Sequence, residues 1–331
     1  MLEYIRPASL KLGDKLGRTI YNTQGNVLIK AGISLTDNMI KTIQTQGYKG
    51  VYIDRVENAE RESIRIQEPI IDDYTTIKVI SIISRILKNK NIYTNAWDNS
   101  FTKDRQQLEE YINEFYKLFK EKNIKKQLIF EMEDSRNNDN WVEYHSFNTM
   151  QLAMAIAMRM GYPETEVKGI AAAGLMHDIG KPCCSSTDQN GIIHFYGHHR
   201  ESCKIAVDLM HRLRMDNDTI REVSILVENH DVRVEPSLPA VKRMMARTGE
   251  VLFEKLLILQ TADNMAKNLE HFPEKKNRID ASMQIYKQIL AERQPYLVSH
   301  LAVNGKELIR LGYRPGREIG DVLRKLIDEV I

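Results

Sequence analysis

The chain has 331 residues, 42% of them apolar and 28% charged, which suffices for a substantial core and excludes a disordered chain. Its 47 Lys+Arg nearly balance 45 Asp+Glu, leaving a formal charge of +2. That balance argues against broad attraction to DNA or to a membrane surface, although a local basic patch remains open.

The opening residues, MLEYIRPASLKLG, lack the apolar run of a secretory signal. Residues 16–34, LGRTIYNTQGNVLIKAGIS, read as two short strands about a turn at Thr23-Gln24-Gly25. A helix follows, capped by Thr36 or Asp37 and stopped at Gly47, and then GVYID reads as a third strand. This makes a small α+β module over residues 1–55. The charged stretch at 56–69, which closes on Pro69, reads as a linker.

From residue 70 the period becomes helical. TTIKVISIISRILKN and RQQLEEYINEFYKLFKEKN space their apolar residues by three and four, forming a helical connector over 70–140. Neither is long and apolar enough to cross a bilayer. A polar break, EDSRNNDN, precedes a long helix from Trp141 to Met160, which Gly161-Tyr162-Pro163 stops. The next helix, TEVKGIAAAGLMHDIG, is rich in small residues that let neighbours approach. GIIHFYGH is short and strand-like, and helices resume at 199–214, 217–230, 250–269, 276–293 and 316–330. Cys183, Cys184 and Cys203 form no disulfide framework, which fits a reducing cytoplasm, and Cys183 and Cys184 read as structural thiols.

Histidines and carboxylates sit at the ends of these helices: His145, the adjacent His177-Asp178, His198-His199, His230-Asp231 and Asp263. Taken singly, each has an ordinary explanation. A histidine at a helix C-terminus interacts favourably with the macrodipole and needs no metal. Jointly they place imidazoles and carboxylates after apolar runs on helices that must pack together. Burying so many polar groups is costly unless a divalent cation satisfies them.

The order His145, His177-Asp178, His198, His230, Asp263, with HDIGK at its centre, resembles the ligand series of the HD superfamily of metal-dependent phosphohydrolases. The resemblance covers most of residues 140–270. It implies a mainly α fold: an all-helical HD-domain bundle over 141–275, with the small α+β module ahead of it and a helical extension over 276–331. Residues 10–54 and HSFNTMQLAMAIAMRMGYPE resemble HD-GYP phosphodiesterases. The GYP signature is missing after His230, where the chain reads DVRVEPSLP. After Lys181, KPCCSSTDQNGIIHFYGHHRESCKIAVDLMHRLRMDN and the tail LAVNGKELIRLGYRPGREIGDVLRKLIDEVI are similar to the HD region and tail of bacterial CCA-adding enzymes. Residues 1–140 lack the Gly-Ser pair and paired strand aspartates of a nucleotidyltransferase head, so CCA addition is not expected.

The resemblance implies two divalent ions (Mn, Fe, Co, Ni or Zn, with Mg possible), held by His145, His177 and Asp263 and by His198 and His230, with Asp178 bridging. Ions about 4 Å apart would bind phosphoester oxygens and activate a hydroxide. Lys181 is a candidate phosphate clamp, its alternative being a solvated helix-end lysine. The Gly197-His198 … Ser202 frame selects His198 as the ligand, which leaves His199 as a supporting or substrate-binding donor. Arg200 and Arg233 are further candidate phosphate contacts, with solvated roles as the alternative. Lys306, Arg310, Arg314 and Arg317 surround a turn in the tail and read either as a solvated face or as an RNA contact.

The expected function is therefore a cytoplasmic, metal-dependent phosphohydrolase of nucleotide phosphoesters. The favoured substrates are 2′,3′-cyclic nucleotides or RNA-end phosphates. Cyclic-dinucleotide hydrolysis, or a catalytically weak nucleotide- or RNA-sensing module, are the alternatives. No membrane or DNA partner is expected, and a homodimer is left open.

Overall fold

The computed structural model describes residues 2–21, 27–45, 51–54, 71, 73–88, 99–121, 141–212, 214–267 and 272–331. The expected turn at 23–25, the helix stop at Gly47, the linker over 56–69 and the polar break before Trp141 lie outside the described residues. Of the described residues, those up to Lys88 belong to one compact unit and those from Asn99 onward to a second.

In the first unit, β1 (Leu2–Ile5) pairs antiparallel with β4 (Val51–Asp54), Leu2 opposite Asp54 and Ile5 opposite Val51. The pair β2 (Ile20–Tyr21) and β3 (Val27–Ile29) forms a second ribbon, as its β-branched residues suggest. Between β3 and β4 runs α1 (Asp37–Thr45), whose start is capped by Thr36 Oγ1 accepting from Met39 N–H at 3.4 Å. Ile5, Leu16, Ile29, Leu35, Ile43, Val51 and Ile53 close one core. The strand β1 was not expected from the sequence; its four residues acquire a partner only some fifty positions away. The helix α2 (Asp73–Lys88) buries Val79, Ile80, Ile82 and Ile83 on one face.

The second unit is helical. Its centre is α4 (Trp141–Met160), which is buried along most of its length, the polar Glu143, His145, Asn148 and Thr149 included. Gly161, at φ +88°, ends it by bonding its N–H to the Met158 carbonyl, and Pro163 then opens α5 (Glu164–Met176). The helix α3 (Asn99–Glu121) packs on both, with Phe115 meeting Phe147 edge-on at 5.8 Å. The short hairpin of β5 (Ser185–Thr187) and β6 (Ile193–Phe195) leads into α6 (His198–Arg212), which packs on α7 (Asn217–Asn229). Both α4 and α5 lie against α9 (Glu250–Met265). Around α9 gather α8 (Leu238–Thr248) and α10 (Phe272–Ala291), and α11 (Gly305–Arg310) packs on α12 (Arg317–Val330). Among the described residues, no helix is long and apolar enough to cross a membrane.

Two helices were not expected. The start of α8 carries Ser237 at the cap position with Pro239 just inside, and Gly249 follows its end, a legible pattern. The start of α11 carries a full capping box between Asn304 and Glu307.

Two glycines of the sequence GLMHDIGK are there for packing. A Cβ on Gly174 would lie 3.1 Å from the Met150 backbone, so it sets how closely α5 approaches α4. A Cβ on Gly180 would lie 2.5 Å from Ser202 N, 2.9 Å from Glu201 C and 3.0 Å from His198 O. Gly180 N–H donates to Ser202 Oγ at 2.9 Å, so the turn after Asp178 is fastened to the first turns of α6.

Gly180→Ala should therefore lower stability by about 1–3 kcal/mol, as overpacking does. Gly169→Ala, in mid-α5 with nothing within 4 Å of its added methyl, should instead gain about 0.5–1 kcal/mol. Urea denaturation of the two variants checks both signs.

Candidate metal centre

Five helices deliver one cluster. His145 stands in the second turn of α4, and Asp263 lies near the end of α9. His177 and His230 each follow the last residue of a helix, α5 and α7, with nearly the same backbone (φ −58°, ψ −33° and φ −59°, ψ −33°). His198 opens α6. Asp178, beside His177, is completely buried.

Three of the histidines are oriented by one device. His177 Nδ1–H donates to the Gly174 carbonyl at 2.7 Å, His230 Nδ1–H to Val227 at 2.7 Å, and His198 Nδ1–H to Phe195 at 2.9 Å. Each bond reaches back three residues. A carbonyl can only accept, so in each neutral ring the proton sits on Nδ1 and Nε2 presents a bare lone pair. This is the tautomer a metal requires, fixed by a backbone partner. Gln260 Nε2 also holds the turn after α7, donating to the His230 and Val232 carbonyls at 3.1 and 2.9 Å.

The Nε2 atoms converge in two groups about the two oxygens of Asp178. In the first, His145 Nε2 lies 3.2 Å from His177 Nε2 and 2.9 Å from Asp263 Oδ1, while Asp178 Oδ2 lies 3.4 Å from His145 and 3.2 Å from His177. In the second, His198 and His230 bring their Nε2 atoms to 3.3 Å of each other, and to 3.3 and 3.5 Å of Asp178 Oδ1. Asp178 Oδ1 is buried and has no hydrogen-bond partner. Two lone pairs and an unpartnered carboxylate oxygen within such distances repel unless a cation joins them. Both groups could hold a metal ion. The C-termini of α5 and α7, where His177 and His230 sit, add partial negative charge that favours one.

The titration of these groups has the same cause. Burial pushes the Asp178 and Asp263 carboxyls up, but the surrounding imidazoles, and Lys267 at Asp263, outweigh it and hold both well below the ordinary range. Burial would lower His177; the Asp178 charge and hydrogen bonds to both carboxylates push it up to about 9 instead. Burial lowers His230. Without metal, a proton on His177 Nε2 thus stands where a cation would.

Lys181 is not a solvated helix-end lysine. It is 7% exposed, its ammonium paired with Asp178 Oδ2 and lying 5.1 Å from the Trp141 ring centroid and 5.8 Å from that of Phe195. His199 is half-buried, with burial lowering its pKa, and an atom of its ring lies within 4.8 Å of ligand atoms of His198 and the exposed Asp231. Because His198 has only Nε2 free, His199 and Asp231 extend the second group rather than make a separate one. Arg200 is exposed, and Arg233 is exposed and paired with Glu235 at 2.8 Å, so neither belongs to the buried cluster.

Several residues escaped the sequence reading. Lys267, one turn beyond Asp263, donates to its Oδ2 at 2.6 Å and leaves Oδ1 for the first group. Trp141 and Phe195 flank Lys181, and their spacing to His145 and His198 was the available signal. The exposed Lys306, Arg310, Arg314 and Arg317 lie on α11, α12 and the turn between them.

Residues 142–268 match the family model described as "HD domain". This part of the chain is similar to HD domains in sequence, and its buried His/Asp groups could hold metal. A 160-residue stretch, 47% of the chain, is also 32% identical to an A-adding tRNA nucleotidyltransferase of Deinococcus radiodurans. The chain matches 36% of that relative's length.

The raised His177 pKa fixes a sign. In metal-free protein its stabilising contribution is complete below the unfolded value of about 6.5 and is lost as pH rises through about 9. Metal binding runs oppositely, since ligands must shed protons first. Thermal melts from pH 6.5 to 9 should therefore fall with pH in chelator and rise, or hold, with excess Mn. Parallel curves would contradict the assignment.

Proposed function

We propose that the chain hydrolyses phosphoesters of nucleotides, with 2′,3′-cyclic nucleotides or RNA-end phosphates as its substrates. The observation that carries this is Asp178: a buried carboxylate whose two oxygens face separate histidine groups, one of them without any hydrogen bond. In this reading His145, His177 and Asp263 hold one ion, His198 and His230 the other, and Asp178 bridges. A pair of bound divalent ions would supply Lewis-acid activation of water and charge neutralisation at phosphorus. Mixed imidazole and carboxylate ligands suit Mn, Fe, Co, Ni or Zn.

The chain's own charges support an anionic substrate. The two aspartates are offset by Lys181 and Lys267, which touch them. Any bound divalent ion therefore adds positive charge that the buried shell does not cancel, and a phosphate is a natural counterion. Lys181 has a second part to play. With Asp178 holding a cation, the Lys181 ammonium would be free to meet a phosphate oxygen as a clamp. His199, kept neutral by burial, stands at the edge of the second group, where it can hydrogen-bond a substrate oxygen. Arg200 and Arg233 would act only from the surface, the latter after leaving Glu235.

The preference for RNA-end phosphates draws on the relative, whose name places its action on tRNA. A homodimer and the part played by the N-terminal module stay outside this reading.

Purified, Mn-supplemented protein should hydrolyse 2′,3′-cyclic AMP or a short RNA with a 3′ phosphate in preference to cyclic-di-GMP and p-nitrophenyl phosphate. Asp178→Ala should abolish turnover and bound metal together, while Lys181→Ala should keep the metal and lower kcat/KM by about a hundredfold. Turnover unchanged in Asp178→Ala would sink the reading. Tight nucleotide binding without product over hours would favour a sensor.

A further inference from the structure

Beside the candidate metal ligands lies a pair of half-buried aromatic rings. Trp141 is one turn ahead of His145 on α4, so both side chains share a face, and their ring centroids are 6.4 Å apart. Phe195 ends β6, three residues before His198, and its carbonyl fixes that ring. The two aromatic rings come from elements some fifty residues apart, yet their centroids are 5.6 Å apart and tilted by 50°. Both are half-buried, whereas the six candidate ligands are buried.

The hairpin that carries Phe195 adds little to the fold. All three residues of β5 are exposed, as are Ile192 and Ile193, at 55% and 56%. What it does deliver is Phe195, to Trp141 and Lys181. The Lys181 ammonium touches Asp178 and lies over both rings, so it stands between the metal groups and the aromatic pair.

We propose that Trp141 and Phe195 form a nucleobase platform, making the substrate a phosphoester of a nucleoside rather than a plain phosphate ester; this rests on the phosphohydrolase reading above. A nucleotide is an anionic phosphate joined through one sugar to a flat π-system. The structure sets the Lys181 cation against Asp178 and over two aromatic rings, one of which neighbours His145. Aromatic faces stack on any base, so the platform selects for the presence of a base and not for its identity. The rings would also cover Lys181 from water, which strengthens its hold on a phosphate.

The test uses the full chain loaded with Mn, with Trp97→Phe as background so that Trp141 is the only tryptophan. Binding of AMP, ribose 5-phosphate and inorganic phosphate is followed by calorimetry and by tryptophan emission. AMP should bind at least about tenfold tighter than ribose 5-phosphate and quench Trp141. Phe195→Leu should bring that ratio close to one while the manganese content is retained. Equal binding of AMP and ribose 5-phosphate, or an unchanged ratio in Phe195→Leu, would overturn the platform and leave the phosphohydrolase reading standing. Failure of all three ligands to bind would sink both.

Discussion

The cluster at the centre of the second unit answers to the burial of one carboxylate. Asp178 has no exposed surface and one oxygen without a hydrogen bond, an arrangement that is expensive in a low-dielectric interior. Five imidazole or carboxylate side chains from five helices converge on it, and one ammonium pairs with it. Without a cation, a proton on His177 and the Lys181 ammonium give partial relief. With one, the lone pairs fixed by the Gly174, Val227 and Phe195 carbonyls become ligands. The helices thus hold these side chains at distances that would suit an ion.

The glycines of the central octet express the same constraint in packing. Gly174 lets α5 lie against α4, which brings His177 to His145. Gly180 lets the turn after Asp178 touch the start of α6, which brings His198 to the other carboxylate oxygen. A methyl at Gly174 would part His177 from His145, and one at Gly180 would part His198 from Asp178. Lys267 and Lys181 then balance the two aspartates, so once His177 has shed its proton the buried shell carries no net charge of its own.

Much of this was legible in the sequence, and the reasons are local. The 141–160 helix was readable because a polar break precedes it and Gly161-Tyr162-Pro163 stops it. His177-Asp178, His230 and Asp263 stood out because each follows an apolar helical run. His145 and His198, near the starts of α4 and α6, joined the set through the resemblance of its order to the HD series. What escaped depended on long-range contact. The pairing of β1 with β4, the meeting of Trp141 with Phe195, and the burial of Lys181 beneath those rings exist only after folding. Lys267 and α8 are different: an i, i+4 lysine and a Ser-Leu-Pro start were visible, and were passed over because neither carries chemistry by itself.

The most direct test of the bridging role is anomalous diffraction from crystals of the protein grown with Mn. Two peaks about 3.5–4 Å apart are expected, one among His145, His177 and Asp263 and the other between His198 and His230. Asp178 should lie between them, with the Lys181 ammonium moved off its carboxylate. A single peak away from Asp178, or none with Lys181 still paired to it, would contradict the account.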